Sequence, residues 1–167
     1  MMDLTTAISV LNGSVPDPSA GLPDEVFYYI SRTTPLVNVD LLIRNCQHQI
    51  LLAWRDDIYA GRGWHVPGGI VRFKETFATR ICKVAEEEVG CREIEFVSEP
   101  LVINQLINDE RDVRGHFISL LFECRLPDSF VLDNAGRQPG EVGFLAWHKK
   151  CPDDIIRYHE IYRKYFA

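Results

Sequence analysis

The 167-residue chain has no surplus of positive charge: 18 Lys and Arg face 24 Asp and Glu, for a formal net charge of −6. A general nucleic-acid binder needs a basic face, so that class is excluded, whereas a small phosphorylated ligand held by a few local cations is not. There is also no C-x-x-C pair. The five cysteines (Cys46, Cys82, Cys91, Cys124 and Cys151) are odd in number and scattered. They read as buried or free thiols in a reducing compartment, not as a disulfide framework or a zinc site. No secretory h-region opens the chain, and no apolar run approaches membrane-spanning length. No membrane partner is therefore expected, and the expected location is cytoplasmic. Internal repeats and interdomain linkers are absent too. What is present is a 46% hydrophobic composition with both charge signs spread throughout. That describes one globular domain, large enough to bury its own core.

Residues 1–24, with the turn-rich "NGSVPDPSAGLPDE", read as a flexible N-terminal arm, and residues 25–167 as the domain. "DEVFYYISRTT" predicts a short helix that ends by Pro35, because the residue before proline avoids helical geometry. In "PLVNVDLLIRN" the side chains alternate, with Val37, Val39, Leu41 and Ile43 on one face and Asn38, Asp40 and Leu42 on the other. "HQILLAWRD" is a second strand, and the short "NCQH" before it fits a hairpin. "IEFVSEPLVINQLI" and "HFISLLFECRL" read as further strands around the charged loop "NDERDVRG", and "FLAWH" as a last short one. "PDDIIRYHEIYRKYF" reads as an amphipathic terminal helix with Ile155, His159, Tyr162 and Phe166 near one stripe. Strands on both sides of an internal helix imply an α/β chain: a single-domain α/β/α sandwich with a mixed β-sheet.

The internal helix carries the chemistry. In "GGIVRFKETFATRICKVAEEEVG" a loop feeds a helix of about four turns that stops at Gly90 and places Glu86, Glu87 and Glu88 in its last turn. A helix C-terminus already has negative character. Two carboxylates about 5 Å apart also repel by ~3 kcal/mol at an effective dielectric near 20. A bound divalent cation reverses that sign, and Mg²⁺ in particular takes carboxylate, carbonyl and water oxygens while bridging to substrate phosphates. The bland alternative is a solvated acidic turn.

The spacing around the cluster decides between them. From Gly69, five residues lead to Glu75, seven more to Lys83, and then follow Val84, Ala85, Glu86, Glu87, Glu88, Val89, Gly90 and Cys91. This resembles the Nudix box, G-x5-E-x7-R-E-U-x-E-E-x-G-U, where U is apolar. Lys83 replaces the arginine, and Val84 stands where the first glutamate of the trio is expected. The resemblance implies a Mg²⁺-dependent hydrolase, with Mn²⁺ as an alternative ion. It makes the Gly68 carbonyl, Glu87 and Glu88 metal-site candidates. Members also use a glutamate near the last strand as ligand or base, and Glu141 in "QPGEVGFLAW" stands at that place. Glu75 is expected to anchor loop amides or Lys83.

The stretch "RTTPLVNVDLLIRNCQHQILLAWRDDIYAGRGWHVPGG" is further similar to the GDP-mannose mannosyl hydrolases, which also lack the glutamate that Val84 replaces. In that branch water attacks the sugar's anomeric carbon and the nucleoside diphosphate leaves. The likeness makes Asp40 and Arg55 candidates around the sugar and diphosphate; a guanidinium can clamp a departing diphosphate as lysine cannot. Departures are visible as well. Ile70 occupies the substrate-facing place after P-G-G where the branch has an arginine. Val142 follows Glu141 where the branch has a histidine base, and Glu87 belongs to ordinary Nudix boxes. His116, ahead of "FISLLF", is a candidate substitute facing substrate. Trp64 and Trp147 are expected in the core or the pocket wall.

Catalysis is accordingly expected from Arg55, Glu87, Glu88 and Glu141, on a nucleotide sugar such as GDP-mannose, with GDP and free sugar released. Ordinary phosphorus attack giving a nucleoside monophosphate is the alternative, and a non-catalytic nucleotide-sugar binding module a second one. The expected partner is a small nucleoside diphosphate substrate, with no nucleic acid, and by resemblance the protein is a homodimer.

Overall fold

The computed structural model describes residues 3–134 and 136–166. Its centre is strand β1 (Leu36–Ile43), which pairs antiparallel with β4 (Gly68–Ile70) on one edge and parallel with β7 (His116–Arg125) on the other. The far edge of β7 takes two antiparallel partners in succession, β6 (Val102–Ile107) and the short β5 (Glu95–Phe96). A second, three-stranded antiparallel sheet is ordered β3-β2-β8, from Gly61–His65, Ile50–Asp57 and Leu145–His148. The expected mixed sheet is therefore a mixed five-stranded sheet with a separate antiparallel one beside it.

The "NCQH" turn explains the split. Asn45 Oδ1 accepts from the amides of Gln47 and Gln49, and a single bridge, Arg44 to Ile50, closes the neck. Beyond it β1 and β2 part, because a strand has only two hydrogen-bonding edges. Those of β1 are taken by β4 and β7, and those of β2 by β3 and β8. Gly61–His65 and Gly68–Ile70 are also strands, which glycine content hides from a propensity reading.

The alternation along β1 feeds two cores. Val39, Leu41 and Ile43 pack with Leu120 and Phe122 of β7 under helix α3 (Phe77–Val84). Leu42 packs on the other face with Trp54, Trp64, Val66 and Tyr162. Trp54 and Trp64 lie opposite each other on β2 and β3, their rings edge-to-face at 5.2 Å. The second face is covered by Arg157–Tyr165, which forms a 3₁₀ helix where an α-helix is expected. The buried residues explain it: Ile156, His159 and Tyr162 recur every third position, the period at which 3₁₀ side chains eclipse. Residues 1–24 include a helix, α1 (Leu4–Ser14), capped by Asp3 and with no buried residue; α2 (Asp24–Thr33) ends before Pro35 as expected. Among the described residues no helix is long and apolar enough to cross a membrane. All five cysteines are free thiols.

Candidate active site

Thr76 caps the box helix, its Oγ1 accepting from the Thr79 amide at 3.1 Å. After α3 the last turn, Ala85–Val89, is a π-helix and not a continuation of the α-helix. Single π turns concentrate at functional sites. Here the widened turn puts Glu86, Glu87 and Glu88 together on the wall of one cavity. Gly90, at φ 77°, provides the left-handed stop, and the Cys91 amide closes back on the Ala85 carbonyl at 3.0 Å.

Val84 has a structural reason. It is 1% exposed, and a side chain at Gly69 would come within 2.8 Å of its Cγ2. The apolar residue and the glycine thus let the loop lie flat on the helix. Gly68 is equally close-fitted: a Cβ there would meet Asp40 Oδ1 at 2.3 Å.

The Glu75 side chain is buried and fully engaged. Its carboxylate takes two bonds from Arg80, at 2.7 and 3.0 Å, one from Lys83 Nζ at 2.9 Å and one from the Arg72 amide at 3.0 Å. Burial alone raises a carboxyl, but these donors outweigh it and hold Glu75 at about 2. It anchors the loop and Lys83, as the sequence suggests. Arg80, 4% exposed, is the partner that sequence reasoning misses, because the box pattern assigns the cation to position 83.

The cavity, of about 810 Å³, is lined by Glu86–Glu88, Gly68, Ile70, Asp40 and Arg55, so most of the candidates converge. Glu88 Oε2 lies 3.1 Å from His65 Nε2, and Glu87 lies 4.0 Å from Arg80 Nη1. Arg55 donates through Nε to Asp57 at 2.7 Å. Asp40 is 1% exposed and accepts from Ser119 Oγ, from Tyr162 OH at 2.5 Å and from Asn38 Nδ2 at 2.6 Å. Burial pushes it up to about 6, against the pull of the two hydroxyl donors. Expected by resemblance near the sugar, Asp40 lines the cavity with its carboxylate engaged by these three donors.

Two candidates lie elsewhere. Glu141 is outside the cavity wall; its Oε2 accepts from the Gln138 amide at 2.9 Å, so the carboxylate closes its own turn. His116 is outside as well, with Nε2 3.0 Å from Gln105 Nε2 on the neighbouring strand. Two other histidines reach the cavity. His65 is tied to Glu88, while His159 accepts the Val66 amide at Nδ1 (2.9 Å) and is kept neutral by burial. Also on the wall is Arg114, in the "NDERDVRG" loop, which no motif spacing indicates.

The donor set has a definite chemistry. Among the described residues no three His, Cys, Asp or Glu side chains group as a metal site. Glu87, Glu88 and a glycine carbonyl leave most of an ion's coordination to water and to ligand phosphates. That is the habit of Mg²⁺, which keeps several waters and binds through one or two carboxylates. The residues present fit such an ion.

A model of the NUDIX domain family matches residues 34–164. The chain belongs to that family and is a Nudix hydrolase. Such enzymes act on small nucleoside diphosphate compounds, generally with a divalent metal such as Mg²⁺. The low-salt glycan biosynthesis protein Agl8 of Haloferax volcanii is 34% identical over 115 residues, covering 66% of this chain and 72% of the relative. Among solved structures, the fold is shared with a MutT NUDIX hydrolase from Burkholderia pseudomallei (TM-score 0.59, 20% identity, 80% of this chain and 99% of that one). It is shared too with a NUDIX hydrolase from Nitrosomonas europaea (TM-score 0.59, 21% identity, 79% and 70%).

Proposed function

We propose that this chain hydrolyses a nucleoside diphosphate linked to a sugar, with GDP-mannose as the first candidate, releasing GDP and the free sugar. The observation that carries the reading is the convergence in one cavity of the Glu86–Glu88 turn, Gly68 and Arg55. Acidic groups for a divalent ion and a cation for the diphosphate then act on one ligand. A volume of about 810 Å³ is in the range of small-molecule sites, which run to roughly 1,000 Å³. The name of the Haloferax relative, a glycan biosynthesis protein, supports a sugar-linked substrate, since glycans are assembled from activated sugars.

In this reading Glu87, Glu88 and the Gly68 carbonyl hold Mg²⁺ or Mn²⁺, which when bound neutralises the diphosphate and activates water. Arg55 adds positive charge where the diphosphate departs, with Asp57 fixing the fork of its guanidinium. His65 holds the Glu88 carboxylate in place. Trp54 and Val66 cover the wall around these groups and exclude water.

A second reading, attack at phosphorus to give a nucleoside monophosphate and a sugar phosphate, draws on Glu87 in the cavity wall and on Val142, which is no base, after Glu141. Incubation with GDP-mannose, other nucleotide sugars and ADP-ribose in Mg²⁺ or Mn²⁺ separates the two. GDP with free mannose is expected. GMP with mannose 1-phosphate selects attack at phosphorus, and turnover of ADP-ribose alone overturns the nucleotide-sugar reading.

A further inference from the structure

The loop between β6 and β7 is built as a rigid element. The Asn108 amide bonds the Gly115 carbonyl at 2.7 Å, Asn108 Oδ1 accepts from the Glu110 amide at 3.0 Å, and Asn108 Nδ2 donates to Tyr158 OH. Within it, Arg114 adopts φ 53°, a left-handed conformation unusual for a side-chain-bearing residue, and its amide donates to Ser31 Oγ of α2 at 3.1 Å. Backbone strain of this kind persists where surrounding contacts enforce it, and it clusters at ligand sites.

The side chain enforced there is an arginine without a counter-ion. Its guanidinium carbon stands over Tyr59 at 4.5 Å and over Phe27 at 5.6 Å, contacts made with ring faces and not with an acceptor. Nε is buried with no hydrogen-bond partner among the described residues. Among the described residues no carboxylate forms an ion pair with Arg114. The carboxylate whose charge acts on it is Asp57, whose oxygens already serve Arg55 and the amides of Tyr59 and Ala60. Arg55 is near enough to repel it, and burial with that repulsion lowers the Arg114 pKa. Arg55 thus takes the Asp57 carboxylate, and Arg114 stands near it without an ion pair of its own among the described residues, on the wall of the cavity that also carries the acidic turn.

We infer that Arg114 is a substrate-binding residue that donates to the diphosphate of the bound nucleotide, beside Arg55. The inference rests on the reading of the cavity as a nucleoside diphosphate site and adds the group that sets its charge. Ring faces occupy the guanidinium without consuming acceptors, which leaves its N–H donors for phosphate oxygens in a paired geometry. The cation missing at Ile70 is thereby supplied from a different loop.

The test is calorimetric binding of GDP, guanosine and methylenediphosphonate in Mg²⁺ to wild type, Arg114→Gln, Arg114→Met and Arg114→Lys. Met retains the aliphatic stem against Tyr59 and Phe27, so it reports on charge if Gln disturbs the fold. Gln and Met are expected to weaken GDP and methylenediphosphonate tenfold or more with guanosine unchanged, and Lys to recover part of the loss. Binding of both diphosphate probes within twofold of wild type by Arg114→Met overturns the inference, as does equal weakening of guanosine or failure of wild type to bind either probe. Turnover by wild type is scored separately. If no nucleotide sugar is cleaved while Arg114 variants lose the diphosphate probes, the substrate reading fails and the inference stands.

Discussion

The box helix and the loop before it carry acidic groups at two ends, and the two are treated in opposite ways. At the start, the Glu75 side chain is 5% exposed, neutralised by Arg80 and Lys83 and bonded by a loop amide. At the finish, three glutamates share one π turn: Glu86 meets Arg92 across an exposed surface, the Glu87 side chain is 60% exposed at 4.0 Å from Arg80, and Glu88 meets His65. A carboxylate whose acceptor sites are filled by protein cations is a strut. One left facing a cavity beside two others is available to a ligand, because only an added positive charge removes the repulsion between them.

The difference predicts opposite failures. Glu75→Ala has the largest expected effect: it takes from buried Arg80 the carboxylate that accepts its two hydrogen bonds and removes about 4 kcal/mol of stability, measured by urea unfolding. Its activity is expected to track the folded fraction. Glu88→Gln is expected to do the reverse, lowering turnover a hundredfold or more with little change in urea midpoint. If Glu88→Gln unfolds the protein and Glu75→Ala does not, the assignment of strut and site is inverted.

Asp40 sharpens the contrast, being buried like Glu75 but without a cation within hydrogen-bond reach. Its folded pKa, about 6, stands above the ordinary carboxyl value of 3.8, so between those values the folded state binds more protons than the unfolded one. Stability from this group therefore falls as pH rises from about 4 to about 6, by on the order of 2 kcal/mol. Glu75 acts in the opposite sense and in a lower window, its contribution lost as pH falls from 4.5 towards about 2. Asp40→Asn is expected to flatten the dependence between pH 4.5 and 6 in urea unfolding; an unchanged slope assigns it to another group. The smallest effect is expected from Arg92→Ala, which breaks a pair exposed on both sides and should leave the melting temperature and turnover unchanged.

Glu75, Glu87, Glu88 and Gly90 stand at intervals that only a loop–helix–stop can satisfy, so their roles follow from covalent spacing and helix period. The alternation of β1 likewise assigns Val39 and Asp40 to opposite cores before any contact is known. Local pattern does not report which partner an edge accepts. The split of β1 and β2 into two sheets and the pairing of Glu75 with Arg80 both depend on elements brought together in space. So does the turning of Glu141 onto the Gln138 amide. Arg114 makes the same point: nothing beside it in the chain marks it, and its significance comes from Ser31, Tyr59, Phe27 and Asp57, 55 to 87 positions away. Sequence alone established the family, the acidic turn and the alternating strands, because those are set by spacing along the backbone. Which charges are neutralised was decided by tertiary packing, because charge balance is a property of neighbours in space.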